Sequence, residues 1–183
     1  MKKLYSVLIA LGVLALLAST ASAAVAKPHF PSWSQQINTT KRFTVLAAFG
    51  GAAVLDNETG LLWEQSPSTT TAASWFNAQI ACNVKTVGNR KGWRLPTLQE
   101  LASLVDGDPA NTGNPRLPPG HPFSNVQSSF YWSATTDAFN TSVAWDVFFG
   151  SGGVSFSGKG DVDFVCACAA DRVLILSDSF DTT

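Results

Sequence analysis

The chain of 183 residues has few of the side chains on which most catalytic sites are built. It contains two histidines and three cysteines, and charged residues make up 14% of it. No nucleophile turn is recognisable, so a Ser-His-Asp arrangement is not expected. Pairs of carboxylates for acid–base catalysis stay open, because residues that meet in space can lie far apart in sequence.

Basic clusters are also missing. The few lysines and arginines are too scattered to follow a phosphate backbone, so nucleic acid is not expected as a partner. The formal net charge of −1 becomes −3 if Lys2 and Lys3 are removed with an N-terminal signal. A surface of this charge does not favour highly sulfated polysaccharide.

Beyond its N-terminus the chain has no apolar run of transmembrane length. Residues 1–23 have the parts of a bacterial secretory signal, with Lys2 and Lys3 before an apolar segment at 7–18 and an Ala-x-Ala cleavage site at 21–23. The apolar segment is too short to span a bilayer. We therefore expect an exported protein, periplasmic or extracellular, without a membrane span.

The remaining chain fits one domain. Its predicted parts are a polar leader or linker at 24–42, a domain at 43–176 and a tail at 177–183. Helices are predicted at 69–84 and 97–105, and strands at 43–55 (one or two), 61–64, 130–135, 143–149, 154–156, 164–170 and 172–176. Two helices among short antiparallel strands are typical of the α+β class. The segment 106–129 has five prolines and is predicted to be a long irregular loop.

The segment Trp-Arg-Leu-Pro-Thr carries the clearest local signal. Thr97 and Glu100 have the spacing of a capping box, and Pro96 suits the extended chain just before the helix. Arg94 is expected to be structural, bonding carbonyls or pairing with a carboxylate such as Glu100 or Asp56. Binding of an acidic ligand by Arg94 is the alternative.

Tryptophan is abundant, with six residues. Large aromatic side chains dominate protein cores, although they also stack on sugars in lectins. Four lie within helix and strand signals and are assigned to the framework: Trp63, Trp93, Trp132 and Trp145. The exposed aromatic candidates are instead in loops: Trp33, Phe123 and Phe139.

Five short motifs, in order, resemble the Lcl C-terminal domain family. They lie at 54–64, 75–82, 92–101, 131–135 and 144–147, and the resemblance covers 54–169. It implies a C-type-lectin-like fold related to that of formylglycine-generating enzymes. In the best-known member, a collagen-like adhesin, the domain binds host polysaccharide. The resemblance thus implies a non-enzymatic binding module for a glycan or a surface protein.

Oxygen-bearing side chains open the long loop and are candidates for ligand binding: Asp106, Asp108, Asn111 and Asn114. Calcium prefers such ligands, but the spacing differs from an EF-hand and Pro109 interrupts it. The Glu-Pro-Asn and Gln-Pro-Asp motifs of calcium-dependent lectins are absent. We predict no cofactor and no metal. The expected contacts are with this loop, including Phe123, and with the segments 136–142, including Phe139, and 150–160.

The three cysteines permit a disulfide in an exported chain. On one strand, Cys166 and Cys168 would have Cα atoms about 6.6 Å apart, at the upper limit for a bridge. Cys82 is therefore expected to pair with one of them; we assign Cys166, with Cys168 open as the other partner.

Two further hypotheses come from a different class of protein. An oxidase-like enzyme would use Cys166 and Cys168 as free thiols near a metal, although no third soft ligand is evident. A structural envelope protein would associate with itself through exposed sheet edges. Self-association also remains open for the binding module, but the chain has no Gly-X-Y stalk through which it could form trimers.

Overall fold

The computed structural model describes residues 37–68, 72–108, 110–164 and 168–171. The predicted signal, Trp33, Cys166 and the predicted last strand lie outside these ranges. None of the helices within them is long and apolar enough to span a membrane.

Short helices and strands alternate along the described chain. The helices are α1 (Thr39–Arg42), α2 (Trp75–Asn83) and α3 (Leu98–Ser103), with a 3₁₀ turn at Ala47–Phe49. The strands are β1 (Phe43–Val45), β2 (Ala53–Asp56), β3 (Leu61–Glu64), β4 (Ala72–Ala73), β5 (Phe130–Thr136), β6 (Val143–Phe148), β7 (Gly153–Gly158), β8 (Asp163–Phe164) and β9 (Ala169–Asp171).

The strands form two sheets. One has the order β1-β2-β3-β9 and is antiparallel throughout, while the other has the order β4-β8-β5-β6-β7. In the second sheet the contact between β5 and β8 is parallel and the other pairs are antiparallel. The predicted α+β class, with few helices and largely antiparallel strands, is confirmed.

The two central strands of the first sheet are buried on both faces. Leu55 and Leu62 point into one apolar cluster, which also holds Trp93 and Trp132. Their neighbours in sequence, among them Trp63, point into a second cluster on the opposite face. Because successive side chains on a strand alternate between faces, β2 and β3 are buried along their whole length and form the middle layer of the domain.

Two of the boundaries that differ from the predictions have a clear physical cause. The helix expected from residue 69 begins at Trp75, because Ala72–Ala73 instead pairs with Asp163–Phe164 as a strand. Tertiary pairing overrides the helical preference of alanine here. The predicted leader also reaches too far, since its last residue, Arg42, is fully buried in the domain.

Arg42 joins three elements through its guanidinium group. Its Nε and Nη2 donate to the two carboxylate oxygens of Asp56 at 3.1 and 2.8 Å, and Nη2 also donates to the carbonyl of Ser103 at 2.8 Å. A bidentate pair fixes direction as well as distance. It therefore holds the end of β2 against the end of α3, and Asp56 is not the partner of Arg94.

The predicted capping box is confirmed. Thr97 Oγ1 accepts from the backbone N–H of Glu100, and the Glu100 carboxylate accepts from the N–H of Thr97. Arg94 donates to both oxygens of that carboxylate, at 2.8 and 2.9 Å, and contacts Asp171 at 3.4 Å. Arg94 is thus structural, and Glu100 is its principal partner.

A disulfide joins Cys82 on α2 to Cys168, which immediately precedes β9. The assignment of Cys166 as partner is wrong, and the open alternative is the one found. The peptide before β9 places Cys168 under α2, where both sulfurs are buried in the first apolar cluster. Cys166 itself lies outside the described residues.

Loss of this disulfide should destabilise the domain. It closes a separation of 86 residues, and such a cross-link typically contributes about 2–4 kcal/mol by restricting the unfolded chain. We expect a Cys82→Ala/Cys168→Ala variant to lose about that much free energy of unfolding in urea titrations. Cys166→Ala is the matched control. Three free thiols in the denatured, unreduced protein would contradict the bridge.

The contribution of Glu100 to stability should depend on pH. Burial acts to raise the pKa of the Glu100 carboxyl, but the bonds from Arg94 and Thr97 outweigh it and hold the pKa below its ordinary value. The contribution is therefore present above the unfolded pKa of about 4.3 and is lost as the pH falls through the folded pKa. The wild type should exceed Glu100→Gln in stability at pH 7 but not near pH 2. A difference that is constant with pH would refute this.

Candidate functional site

An open groove of about 510 Å³ lies between the long loop and the turn that follows β6. Backbone amides, side-chain amides, hydroxyls, a guanidinium group and one aromatic ring line it. The residues are Asn111, Thr112, Gly113, Asn114, Arg116, Ser128, Phe148, Gly150 and Ser151.

The loop wall of the groove is built from its own polar side chains. The buried Asp106 carboxylate accepts from the backbone N–H of Asp108 at 2.9 Å and from Asn111 Nδ2 at 2.8 Å. The same Asn111 nitrogen donates to the carbonyl of Leu117, and its Oδ1 accepts from the N–H of Gly113 at 2.7 Å. Asp106 therefore shapes the loop from below, and Asn111 is both a support and part of the wall.

These bonds also bear on the expectation about calcium. The Asp106 oxygens each accept a hydrogen bond within the loop, and Asp108 Oδ1 accepts from the N–H of Ala110 at 2.8 Å. The described residues contain no group of three histidine, cysteine or acidic side chains that is suited to hold a metal ion. The oxygens that suggested a cation site are used to fold the loop.

Arg116 ties the two walls together. Its Nη2 donates to the carbonyl of Asp108 at 2.6 Å, and its Nη1 donates to the carbonyl of Ser151 at 3.1 Å across the groove. Its backbone N–H donates to the carbonyl of Phe149 at 2.8 Å. Both side-chain contacts are to neutral carbonyls, so within the described ranges no carboxylate neutralises this cation.

The aromatic wall depends on a glycine. The Phe148 ring lies 4.7 Å from the ring of Phe130, centroid to centroid, on the neighbouring strand. A Cβ atom at Gly150 would come within 2.6 Å of Phe148 Cζ. The ring can therefore lie over the turn only because residue 150 has no side chain.

Asn114 and Ser128 also line the groove and contact each other. The Ser128 hydroxyl hydrogen-bonds to Asn114 Oδ1, which leaves the amide nitrogen of Asn114 as a donor toward solvent. Of the four predicted polar ligand residues, Asn111 and Asn114 line the groove, whereas Asp106 and Asp108 do not.

The two loop phenylalanines differ. Phe123 was expected to be exposed, which is wrong: it is buried and packs edge-to-face on Phe43 with ring centroids 5.2 Å apart. The proline-rich loop folds back over the second apolar cluster and carries this ring inward. Phe139 is fully exposed, as expected, but does not line the groove.

The tryptophans behave as framework residues. Trp63, Trp93 and Trp132 are buried in the two apolar clusters. Trp145 is half-buried on β6 and meets Phe156 edge-on at 5.6 Å. These three buried rings are therefore not accessible platforms for a sugar.

Two other groups bear on the enzyme hypothesis. The sulfur of Cys168 is engaged in the disulfide, so the pair of free thiols that an oxidase-like site requires is not present. Asp146 is a buried carboxyl whose pKa is raised by burial, with Ser157 Oγ donating to it at 2.6 Å as an opposing effect. Its observed contact is a neighbouring strand hydroxyl rather than a second titratable group.

Of the nine residues that line the groove, sequence reasoning named two, Asn111 and Asn114. Six of the other seven lie in the predicted contact segments 106–129 and 150–160, but Phe148 was assigned only to a strand. The signal that existed was the concentration of glycine and serine at 150–153. It marks a turn whose backbone can approach another loop closely.

Comparison with known proteins agrees with the motifs. Residues 52–168 match the Lcl C-terminal domain family. No curated protein and no solved structure matches the chain significantly. Since the match spans more than half of the sequence, the chain belongs to the Lcl C-terminal domain family.

Proposed function

We propose that this protein is an exported, non-enzymatic binding module that recognises a glycan and acts in adhesion, with a C-type-lectin-like fold. Its place is periplasmic or extracellular, a proposal that rests on the signal sequence at 1–23. No metal or other cofactor is needed in this scheme.

The observation that carries the proposal is the chemistry of the groove. Sugars present hydroxyl groups around a ring whose C–H faces are apolar, so their sites combine planar hydrogen-bonding side chains with an aromatic surface. The groove is lined by the amide of Asn114, the hydroxyls of Ser128 and Ser151 and the ring of Phe148, while the amide of Asn111 holds the loop wall in place. That combination suits a saccharide unit better than an apolar ligand.

The groove is also held in shape before any ligand arrives. Asp106 and Asn111 fix the loop, and Arg116 bonds to carbonyls on both sides. A site that is already ordered loses less conformational entropy on binding. Small ligands such as single sugar units gain most from this property, because each makes few contacts.

A surface protein is the alternative ligand. The feature that favours it is Phe139, a fully exposed ring on the turn between β5 and β6. A protein partner would use such a ring as an anchor outside the groove. The two ligands are distinguished by which substitution weakens binding.

We expect groove variants to lose glycan binding. Glycan microarrays on the mature protein should identify a ligand, and calorimetry should then show weakening of about tenfold or more for Asn114→Ala, which is equivalent to one good hydrogen bond. Gly150→Ala should act similarly, because its Cβ displaces the Phe148 ring. Asn83→Ala, an exposed amide on α2 outside the groove, is the matched control.

Two results would count against the proposal. One is binding that falls equally in Asn83→Ala and Asn114→Ala. The other is binding that is lost in Phe139→Ala and unchanged in both groove variants, which would favour the protein ligand. Thermal unfolding of each variant shows whether a loss reflects folding rather than contact.

A further inference from the structure

The outer edge of β7 lacks the features that usually prevent a sheet edge from pairing with another strand. This strand lies at the end of the second sheet and has the sequence Gly-Val-Ser-Phe-Ser-Gly, with no charged residue and no proline. Natural sheet edges usually carry charges, prolines or bulges that prevent pairing with another strand. The other end of the same sheet, β4, is only two residues long. β7 is therefore the edge of this sheet that can extend it.

The hydrogen bonds around β7 define which backbone groups face outward. The N–H of Lys159 donates to the carbonyl of Ser142 at 2.9 Å, toward β6, whereas the N–H of Gly158 donates to Asp161 Oδ2 at 2.9 Å. Because the direction alternates along an antiparallel strand, the N–H and C=O groups of Val154 and Phe156 point away from β6. Within the described part of the chain, these four groups have no hydrogen-bond partner.

The side chains of the same two residues form an exposed apolar row. Val154 is 46% and Phe156 57% exposed, on one face of the strand. On its inner side Phe156 already meets Trp145. Its outer side has no cover from the described residues. Unpaired backbone groups and uncovered apolar side chains thus coincide at one place.

We propose that β7 pairs antiparallel with β7 of a second copy of this chain, around a two-fold axis at Ser155. In that register Val154 lies opposite Phe156 of the partner subunit, and Phe156 lies opposite the partner's Val154. All four outward groups of each chain are then paired, which gives four hydrogen bonds. The two five-stranded sheets become one continuous sheet.

The register favours a second copy over an unrelated strand. The two outward residues flank Ser155 symmetrically, so the edge is complementary to itself, as a two-fold interface requires. Aliphatic and aromatic side chains directly opposite each other stabilise antiparallel pairs. The pair of Val154 with the partner's Phe156 occurs twice across the axis. With no charge between residues 151 and 158, like charges do not oppose each other across the axis.

A cross-linking experiment tests the register. Residues on the axis form a pair without mutual hydrogen bonds, with Cα atoms about 4.5 Å apart, which is within disulfide range. Ser155→Cys should therefore form a covalent dimer under mild oxidation. In the matched control, Ser157→Cys, the two introduced cysteines are about 14 Å apart and should not react. Both variants carry Cys166→Ala.

Reversible dimerisation is measured on the protein without the introduced cysteines. Sedimentation equilibrium should show dimers at about 100 μM, and Phe156→Lys should raise the dissociation constant at least about tenfold. Phe139→Lys, at a fully exposed ring elsewhere, should leave it unchanged. A monomeric wild type at that concentration, or equal cross-linking of Ser155→Cys and Ser157→Cys, would overturn the proposal. Its outcome is independent of whether the groove binds a glycan.

Discussion

Four residues near the C-terminus, Cys168–Asp171, hold the rest of the described domain together. β9 pairs with β3 in the first sheet, and Ala169 exchanges two backbone hydrogen bonds with Arg94 at 2.9 Å. Cys168 is bonded to α2 through Cys82. This short segment therefore contacts three parts of the domain: the first sheet, the extended chain that leads into α3, and the helix α2. The contacts join distant parts of the chain, so forming them closes long loops at a cost in conformational entropy.

Burial of β2 and β3 on both faces decides which residues are left for binding. Large aromatic side chains, among them Trp63, Trp93 and Trp132, fill the two apolar clusters, so these three tryptophans are not accessible to a ligand. Polar recognition is left to segments at the margin of the sheets. The groove lies there, between the long loop and the turn after β6.

Features that depend on neighbouring residues were predictable from the sequence, whereas contacts between residues far apart in the sequence were not. The capping box at Thr97 and the strand at 61–64 depend on neighbours in sequence, and both are as expected. The disulfide partner depended on where Cys168 enters the first sheet, which no local pattern records. Phe123 was misplaced for a similar reason: its burial comes from contact with Phe43, 80 residues earlier in the chain. Composition alone favours exposure of a proline-rich loop.

The groove could be predicted only as two separate segments. What brings them together is Arg116, whose backbone and side chain bond to Phe149 and Ser151 in the turn after β6. The same turn leads directly into β7. A two-fold pairing through β7 would therefore set two grooves at a fixed spacing on one continuous sheet. Because a repeating glycan offers the same unit many times, such spacing would convert two weak contacts into one strong attachment.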